Sequence, residues 1–275
     1  MKIKSNCHTH TVFCDGKNTA EQMVQSAIKK GFVSLGFSGH SPMNIENNWT
    51  IKQEQLDEYF SSVASLKDKY AGKIEIYNGI ELDADYSPID KSKFDYIIGS
   101  VHQLHCNDRV YSIDDTAEEL KSCVDEQFNG NWLSMAKQYY SSVAKFICDE
   151  KPDIVGHFDL IEKFNENKAF FDSDNVEYQL IASLYLERIC RECPDIIFEV
   201  NTGAMYRCGK SNPYPAPFIM RKLNEMNMRI TITSDAHDTD SLDYAFDEVE
   251  QYCKQFGFSE AYILKDGKFT AIALE

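Results

Sequence analysis

Seven histidines, at positions 8, 10, 40, 102, 105, 157 and 237, are all that this chain carries, and most of them end a short run of strand-forming residues. The pattern recurs in Ile3-to-His10 (IKSNCHTH), Phe32-to-His40 (FVSLGFSGH), Tyr96-to-His102 (YIIGSVH), Ile154-to-His157 (IVGH) and Ile230-to-His237 (ITITSDAH). Random placement would not repeatedly set an imidazole where a strand meets its loop. In a barrel of parallel strands those ends converge on one face, where such barrels place their chemistry. The expectation is an α/β barrel with a polynuclear metal centre.

The rest of the chain keeps to that plan. Strand-like runs fall near 3–9, 33–38, 74–82, 95–101, 153–157, 195–201 and 228–234, with helical patterns near 19–31, 53–71, 116–150, 176–192, 215–227 and 241–256. Strands alternating with amphipathic helices read as βα units around a parallel sheet. Seven such strands favour a closed or nearly closed barrel over an open doubly wound sheet, and no GxGxxG supports a dinucleotide-binding version of the latter. Asp266-Gly267 between two apolar runs of the tail signals a hairpin that caps one end of the barrel. The insert at 103–152, with helical stretches broken at Asn129-Gly130-Asn131, is expected to fold over the loop face. Without an internal repeat or linker, residues 1–275 read as one domain.

A chain of 275 residues, 43% hydrophobic, buries a large core, and its net charge of −16 offers no basic footprint for nucleic acid. Bound cations in a cleft would offset part of that acidity and draw in a small phosphorylated substrate. Nine cysteines show no disulfide framework, no apolar run reaches membrane-spanning length, and the N-terminus starts directly in a strand. A reduced, cytoplasmic setting without membrane association is expected. The lone CxxC, Cys190 to Cys193, reads as two partly buried thiols at a helix end.

The candidate ligands follow from strand geometry. His8 and His10 are two apart, so on a strand both point to one face and reach one ion. Asp15 follows in the Phe13-Cys14-Asp15-Gly16 loop, and His40 sits in SGHSP behind an apolar strand. Glu81 ends the strand IEIYNGIEL, where a carboxylate can bridge two cations; Asp83 and Asp85 continue its alternation. His102 ends YIIGSVH, whereas His105 lies beyond the strand end. His157 in GHFD has Asp159 two residues on, suited to orienting an imidazole. Asp235 and His237 close the last strand as DxH. Together these are nine candidate ligands: His8, His10, Asp15, His40, Glu81, His102, His157, Asp235 and His237. Zinc typically takes about four, so more than one ion is implied, and mixed imidazole and carboxylate donors suit Zn, Mn or Fe. The sixth strand ends in Glu199-Val200-Asn201-Thr202, and its following loop is expected to carry Arg207 and Lys210 near the same face, where the arginine fork suits phosphate oxygens.

HTHT-x-FCDG, SGHSP, GIELD, GSVH, GHFD, EVNT with a following Arg, NPYP and TSDAH, in that order, resemble the PHP (polymerase and histidinol phosphatase) superfamily. Within it the chain is similar to the monofunctional histidinol-phosphate phosphatases of histidine biosynthesis. The resemblance runs from His8 to His237 and implies a distorted (β/α)7 TIM-like barrel with a trinuclear centre. It implies one ion on His8, His10, Glu81 and Asp235, a second on Glu81, His102 and His157, and a third on Asp15, His40 and His237. Many relatives carry histidine where this chain has Asp15, and NTGAMYRCGKSNPYP departs from the more usual leucine-arginine spelling.

The implied reaction is metal-dependent hydrolysis of a phosphate monoester, L-histidinol phosphate to L-histidinol and phosphate, using two or three divalent ions. Arg207 and Lys210 are expected at the phosphate, with Arg207 also stabilising charge in the reaction; Asp159 or His105 would assist proton transfer, and Glu199 and Asp83 would meet the substrate's amine or imidazole. The competing readings are a phosphoesterase for a nucleotide, a phosphopeptide or a DNA end, an amidohydrolase, and a non-catalytic metal-stabilised scaffold. Acidity speaks against DNA, Glu81 in the bridging place against an amidohydrolase, and the full ligand set against a scaffold.

Overall fold

The computed structural model describes residues 3–44 and 47–275. Seven strands form one sheet: β1 (Ser5–Asn6), β2 (Ser34–Phe37), β3 (Glu75–Asp83), β4 (Tyr96–Ser100), β7 (Ile154–Val155), β8 (Ile197–Asn201) and β9 (Arg229–Thr233). Between them in the chain, β5 (Gln103–Cys106) and β6 (Arg109–Ser112) make a separate antiparallel hairpin. The sheet follows chain order, and every neighbouring pair in it is parallel. Beyond β1 and β9, Thr9 bridges Ala236: His10 N donates to the Ala236 carbonyl (2.8 Å) and Ala236 N to the His8 carbonyl (3.0 Å). That pair of bonds brings the first and last strands together, leaving a nearly closed barrel of the TIM type.

Helices α1 (Ala20–Lys29), α2 (Leu56–Lys69), α3 (Ala117–Phe128), α4 (Trp132–Glu150), α5 (Val176–Glu192), α6 (Gly203–Cys208), α7 (Pro217–Glu225) and α8 (Phe246–Gln255) supply the βα alternation, except between β3 and β4, which a loop with a single 3-10 turn joins. α1 shows why these segments coil. Thr19 and Gln22 close a capping box at its start, and Ala20, Met23, Val24 and Ala27, at i, i+3, i+4 and i+7, form its buried face. β3 is buried on both faces, as expected for a parallel strand between barrel interior and helix layer. No described helix is long and apolar enough to cross a membrane.

Three features differ from the sequence expectation. The runs at 3–9 and 153–157 shrink to the two-residue strands Ser5–Asn6 and Ile154–Val155, because the polar ends of those runs leave the sheet to form loops. The insert at 103–152 begins with the β5–β6 hairpin and only then becomes α3 and α4, with Asn129 in the left-handed region at the break. Arg207 is carried by a short helix, α6, rather than by a loop.

The tail folds as β10 (Glu260–Lys265) and β11 (Lys268–Ala273), a hairpin against the end of the barrel where the strands begin. Gly267 N donates to Tyr77 Oη (2.9 Å) and Asp266 N to Glu75 (2.7 Å), at the start of β3. Leu264 joins Cys7, Tyr77, Tyr96, Ile98, Ile154 and Ile197 in a small core that plugs this end. Tyr96 lies flat over Gly36 and Gly79; a Cβ at either would sit 2.3 Å from the tyrosine's ring or hydroxyl, so only glycine allows the approach. The other end is left for polar groups.

Candidate metal centre

The strand-end histidines gather with Asp235 and Asp15 into one cluster around Glu81, which is fully buried. Its two oxygens face different partners. Oε2 lies 3.3 Å from His8 Nε2, 3.6 Å from His10 Nε2 and 2.8 Å from His40 Nδ1. Oε1 lies 3.0 Å from His157 Nε2 and 3.6 Å from His102 Nε2. Asp235 Oδ1 adds contacts to His10 Nε2 (3.0 Å), His8 Nε2 (3.5 Å) and His237 Nδ1 (3.5 Å). Asp15 stands at the rim, with Oδ2 3.0 Å from His237 Nε2 and Oδ1 3.7 Å from His40 Nε2. Asp235 has a φ of 46°, the left-handed region in which a short polar side chain is tolerated; this bend ends β9 at the DxH segment.

His8 Nε2, His10 Nε2, Glu81 Oε2 and Asp235 Oδ1 are buried and take no hydrogen bond. Each such atom costs roughly 1–3 kcal/mol, and folded interiors tolerate few. Four of them facing one another is the arrangement a cation would satisfy, and nitrogen with carboxylate oxygen suits Zn, Mn or Fe. Three groups have donor atoms close enough to share an ion: His8, His10 and Glu81; His40, Glu81 and His102; and His10, Asp15, His40 and His237.

Burial disfavours charge on all these groups, and their mutual fields decide the outcome. Against burial, His8, His40 and His102 hold Glu81 well below the usual carboxylate range, and Arg207 and His8 do the same for Asp235. Against burial, Glu199, Glu81 and Asp235 hold His8 well above its ordinary value, and Glu81 and Asp83 lift His102 to about 10. His10 goes the other way: burial, with His237 and His40 beside it, pushes it down to about 3, so its ring is a neutral donor. Burial, with Asp15 adjacent, also pushes the neighbouring Cys14 thiol up to about 12.

Two expected substrate contacts lie behind the cluster instead. Glu199 accepts from His8 Nδ1 (2.8 Å), the His157 backbone N–H (2.5 Å) and Thr233 Oγ1 (2.8 Å), and is 1% exposed. Asp83 pairs with His102 Nδ1 at 2.7 Å and is equally buried. A carboxylate on the rear nitrogen sets the tautomer and aims the front nitrogen. Sequence alone could not separate these acids from cleft residues, since all of them end strands.

The cluster floors a cleft of about 450 Å³. Arg207 lines it, with Nη2 2.7 Å from Asp235 Oδ2 and Nη1 3.0 Å from His237 Nδ1. Lys163, Asp114, Ser112 and Trp49 form other walls, and none of them stood out in the sequence. Lys163 Nζ pairs with Asp114 (3.0 Å), and the Trp49 ring meets His40 edge-on at 4.9 Å. Three further expectations fail to reach the cleft. Asp159, 1% exposed, accepts from Ala216 N (2.7 Å) behind the wall, where burial and Glu162 raise it to about 7. His105 alternates outward on β5, exposed, and pairs with Asp85 at 2.7 Å. Lys210 Nζ is spent on the Glu162 carbonyl (2.8 Å).

A parallel barrel whose strand ends gather imidazoles around a shared carboxylate defines a class of barrel proteins with residues able to bind metal at the C-terminal face. Residues 6–203 match the PHP domain, and the chain belongs to that family. It is 28% identical to a protein of Deinococcus radiodurans named probable histidinol-phosphatase, over 91% of this chain and 92% of that one. It is 25% identical to the histidinol-phosphatase of Bacillus subtilis, covering 91% of this chain and 99% of that one. The fold also matches the crystal structure of Lactococcus lactis histidinol phosphate phosphatase complexed with zinc, L-histidinol and phosphate. That match has a TM-score of 0.72 at 19% identity, over 97% of this chain and 98% of the other.

Proposed function

We propose that this protein is a metal-dependent phosphomonoesterase, acting as one unit over residues 1–275, that hydrolyses L-histidinol phosphate to L-histidinol and phosphate. The observation that carries the reading is the set of buried, unpartnered donors beneath a cleft that Arg207 and Lys163 also line. The names of the relatives support the same substrate. Two or three divalent cations, Zn, Mn or Fe, would be held by His8, His10, Glu81 and Asp235; by Glu81, His102 and His157; and by Asp15, His40 and His237. When bound, they supply Lewis acidity toward water and the phosphoryl oxygens.

The chain's own residues account for binding and orientation. Arg207, fixed by Asp235 and His237, presents a planar fork to phosphoryl oxygens, and Lys163 offers a second positive charge from another wall. Asp114 and Asp115 line the same cleft and suit a substrate carrying a primary ammonium, with Trp49 as a flat wall for its imidazole. Glu199 and Asp83 keep His8 and His102 aimed inward. In the overall reaction a water oxygen forms the new bond to phosphorus, the bond to the alcohol oxygen breaks, and that oxygen takes up a proton.

The test is phosphate release from L-histidinol phosphate and a panel of nucleotides, phosphopeptides and small phosphoesters, before and after chelation. Chelator-sensitive turnover with histidinol phosphate ahead of the panel is expected. A different preferred ester would overturn the substrate, and metal-independent turnover, or none, would overturn the class.

A further inference from the structure

The cluster's histidines do not all rest on the same kind of support. His8 Nδ1 is braced by the Glu199 carboxylate at 2.8 Å and His102 Nδ1 by Asp83 at 2.7 Å, while His237 Nδ1 lies 2.9 Å from the Asp235 carbonyl. Behind His10 stands a sulfur: Cys14 Sγ lies 3.5 Å from His10 Nδ1. The nearby carboxylate oxygen, Asp15 Oδ1, is farther off at 3.6 Å.

We propose that Cys14 is the positioning residue for His10. Its sulfur accepts a hydrogen bond from His10 Nδ1–H and so commits Nε2, as a lone pair, to the cluster shared with Asp235 and Glu81. The inference rests on reading His10 as a metal ligand.

Three further observations fit. The thiol's own hydrogen is directed to the Thr11 carbonyl at 3.4 Å, which leaves the sulfur as acceptor toward the ring. The turn that sets this up is tight: Cys14 N and Gly16 N both donate to that same carbonyl, at 2.9 and 3.1 Å. Gly39 makes the socket, since a Cβ there would sit 3.1 Å from the sulfur and 2.9 Å from Ile51. Ring orientation matters at this position because His10 lies between His237 and His40, with centroids 4.2 and 4.4 Å away. A flipped ring would turn carbon toward Asp235. A neutral brace fixes the ring without adding another anion beside Asp15, Glu81 and Asp235.

The experiment compares wild type, Cys14→Ser and Cys14→Ala as zinc-loaded proteins, reading histidine ring nitrogen shifts by NMR, zinc release into excess chelator, and melting temperature. Wild type and Cys14→Ser are expected to show His10 protonated on Nδ1. Cys14→Ala should release zinc faster by about 10–100-fold, the scale on which outer supports of ligands act, and should lose that single tautomer once zinc has been removed. The serine rescue separates hydrogen bonding from packing. Wild-type tautomer and release in Cys14→Ala, or a serine variant as impaired as the alanine one, would overturn the assignment. A wild type that takes up no zinc would overturn the metal reading alone. In that case the tautomer still decides for Cys14, with a proton on Nε2 refuting it.

Discussion

The two ends of this barrel are built from the same strands and obey opposite rules. At the end where strands begin, the buried tyrosine hydroxyls are matched: Tyr96 donates to the Cys7 carbonyl at 2.5 Å, Tyr77 bonds Glu75 and receives Gly267 N–H, and Leu264 fills the space between. At the end where strands finish, Glu81, Asp235, His8 and His10 crowd together with donor atoms left unpaired. An unpaired buried donor is a net cost to folding, while a buried leucine is a net gain. One end stabilises the fold, and the other spends that stability on a fixed array of ligands.

Substitutions should therefore separate the two ends cleanly. The largest effect is expected from Glu81→Ala, which removes the carboxylate that touches five histidines: kcat/KM for phosphate release should fall at least about 10³-fold, with loss of bound metal by elemental assay. Arg207→Ala should cost about 10²-fold in kcat/KM while metal content stays near wild type, a split that retained activity would contradict. Leu264→Ala, at the opposite end, should lose about 2–5 kcal/mol of stability in thermal or denaturant melts yet keep kcat, KM and metal content. If its KM shifted instead, the two ends would not be independent. The smallest signal is protonic. His8 and His102 are held well above their ordinary value by neighbouring carboxylates, so both start out protonated near neutrality, and ligation requires the neutral ring. Zinc binding to chelated protein should release protons and tighten as pH rises, measurable by calorimetry in buffers of different ionisation heat. Proton uptake would contradict this assignment.

Much of this division was legible from residue order. Imidazoles at the ends of apolar runs put His8, His40, His102, His157 and His237 on one face, because strand direction in a parallel barrel carries that information without any tertiary detail. Helix α5 falls at 176–192, where its periodicity placed it, since the pattern is long and Asn175 caps it. What the sequence left hidden depends on distance in space. Glu199 and Asp83 were expected beside substrate and instead stand behind His8 and His102; strand position told which end they occupy but not which depth. Asp114, Lys163 and Trp49 reach the cleft from loops with no periodic signal. Asp159 follows His157 by two, the spacing of a same-face neighbour, but a 3-10 turn begins right after it and carries it behind the wall.

The closure of the barrel has a consequence for biogenesis. His8 and His10 meet Ala236 across the seam, next to a bond between Asn6 and Ser234, partners 228 residues apart in the chain. The first strand thus waits for 228 further residues before its partner across the seam exists. Until the last barrel strand has left the ribosome, the HxH pair has neither Asp235 nor His237 beside it, and the first and third proposed ligand sets each lack a member. Completion of the proposed sites at the seam is in this way tied to synthesis of the last barrel strand, and a product truncated before it would not close its barrel.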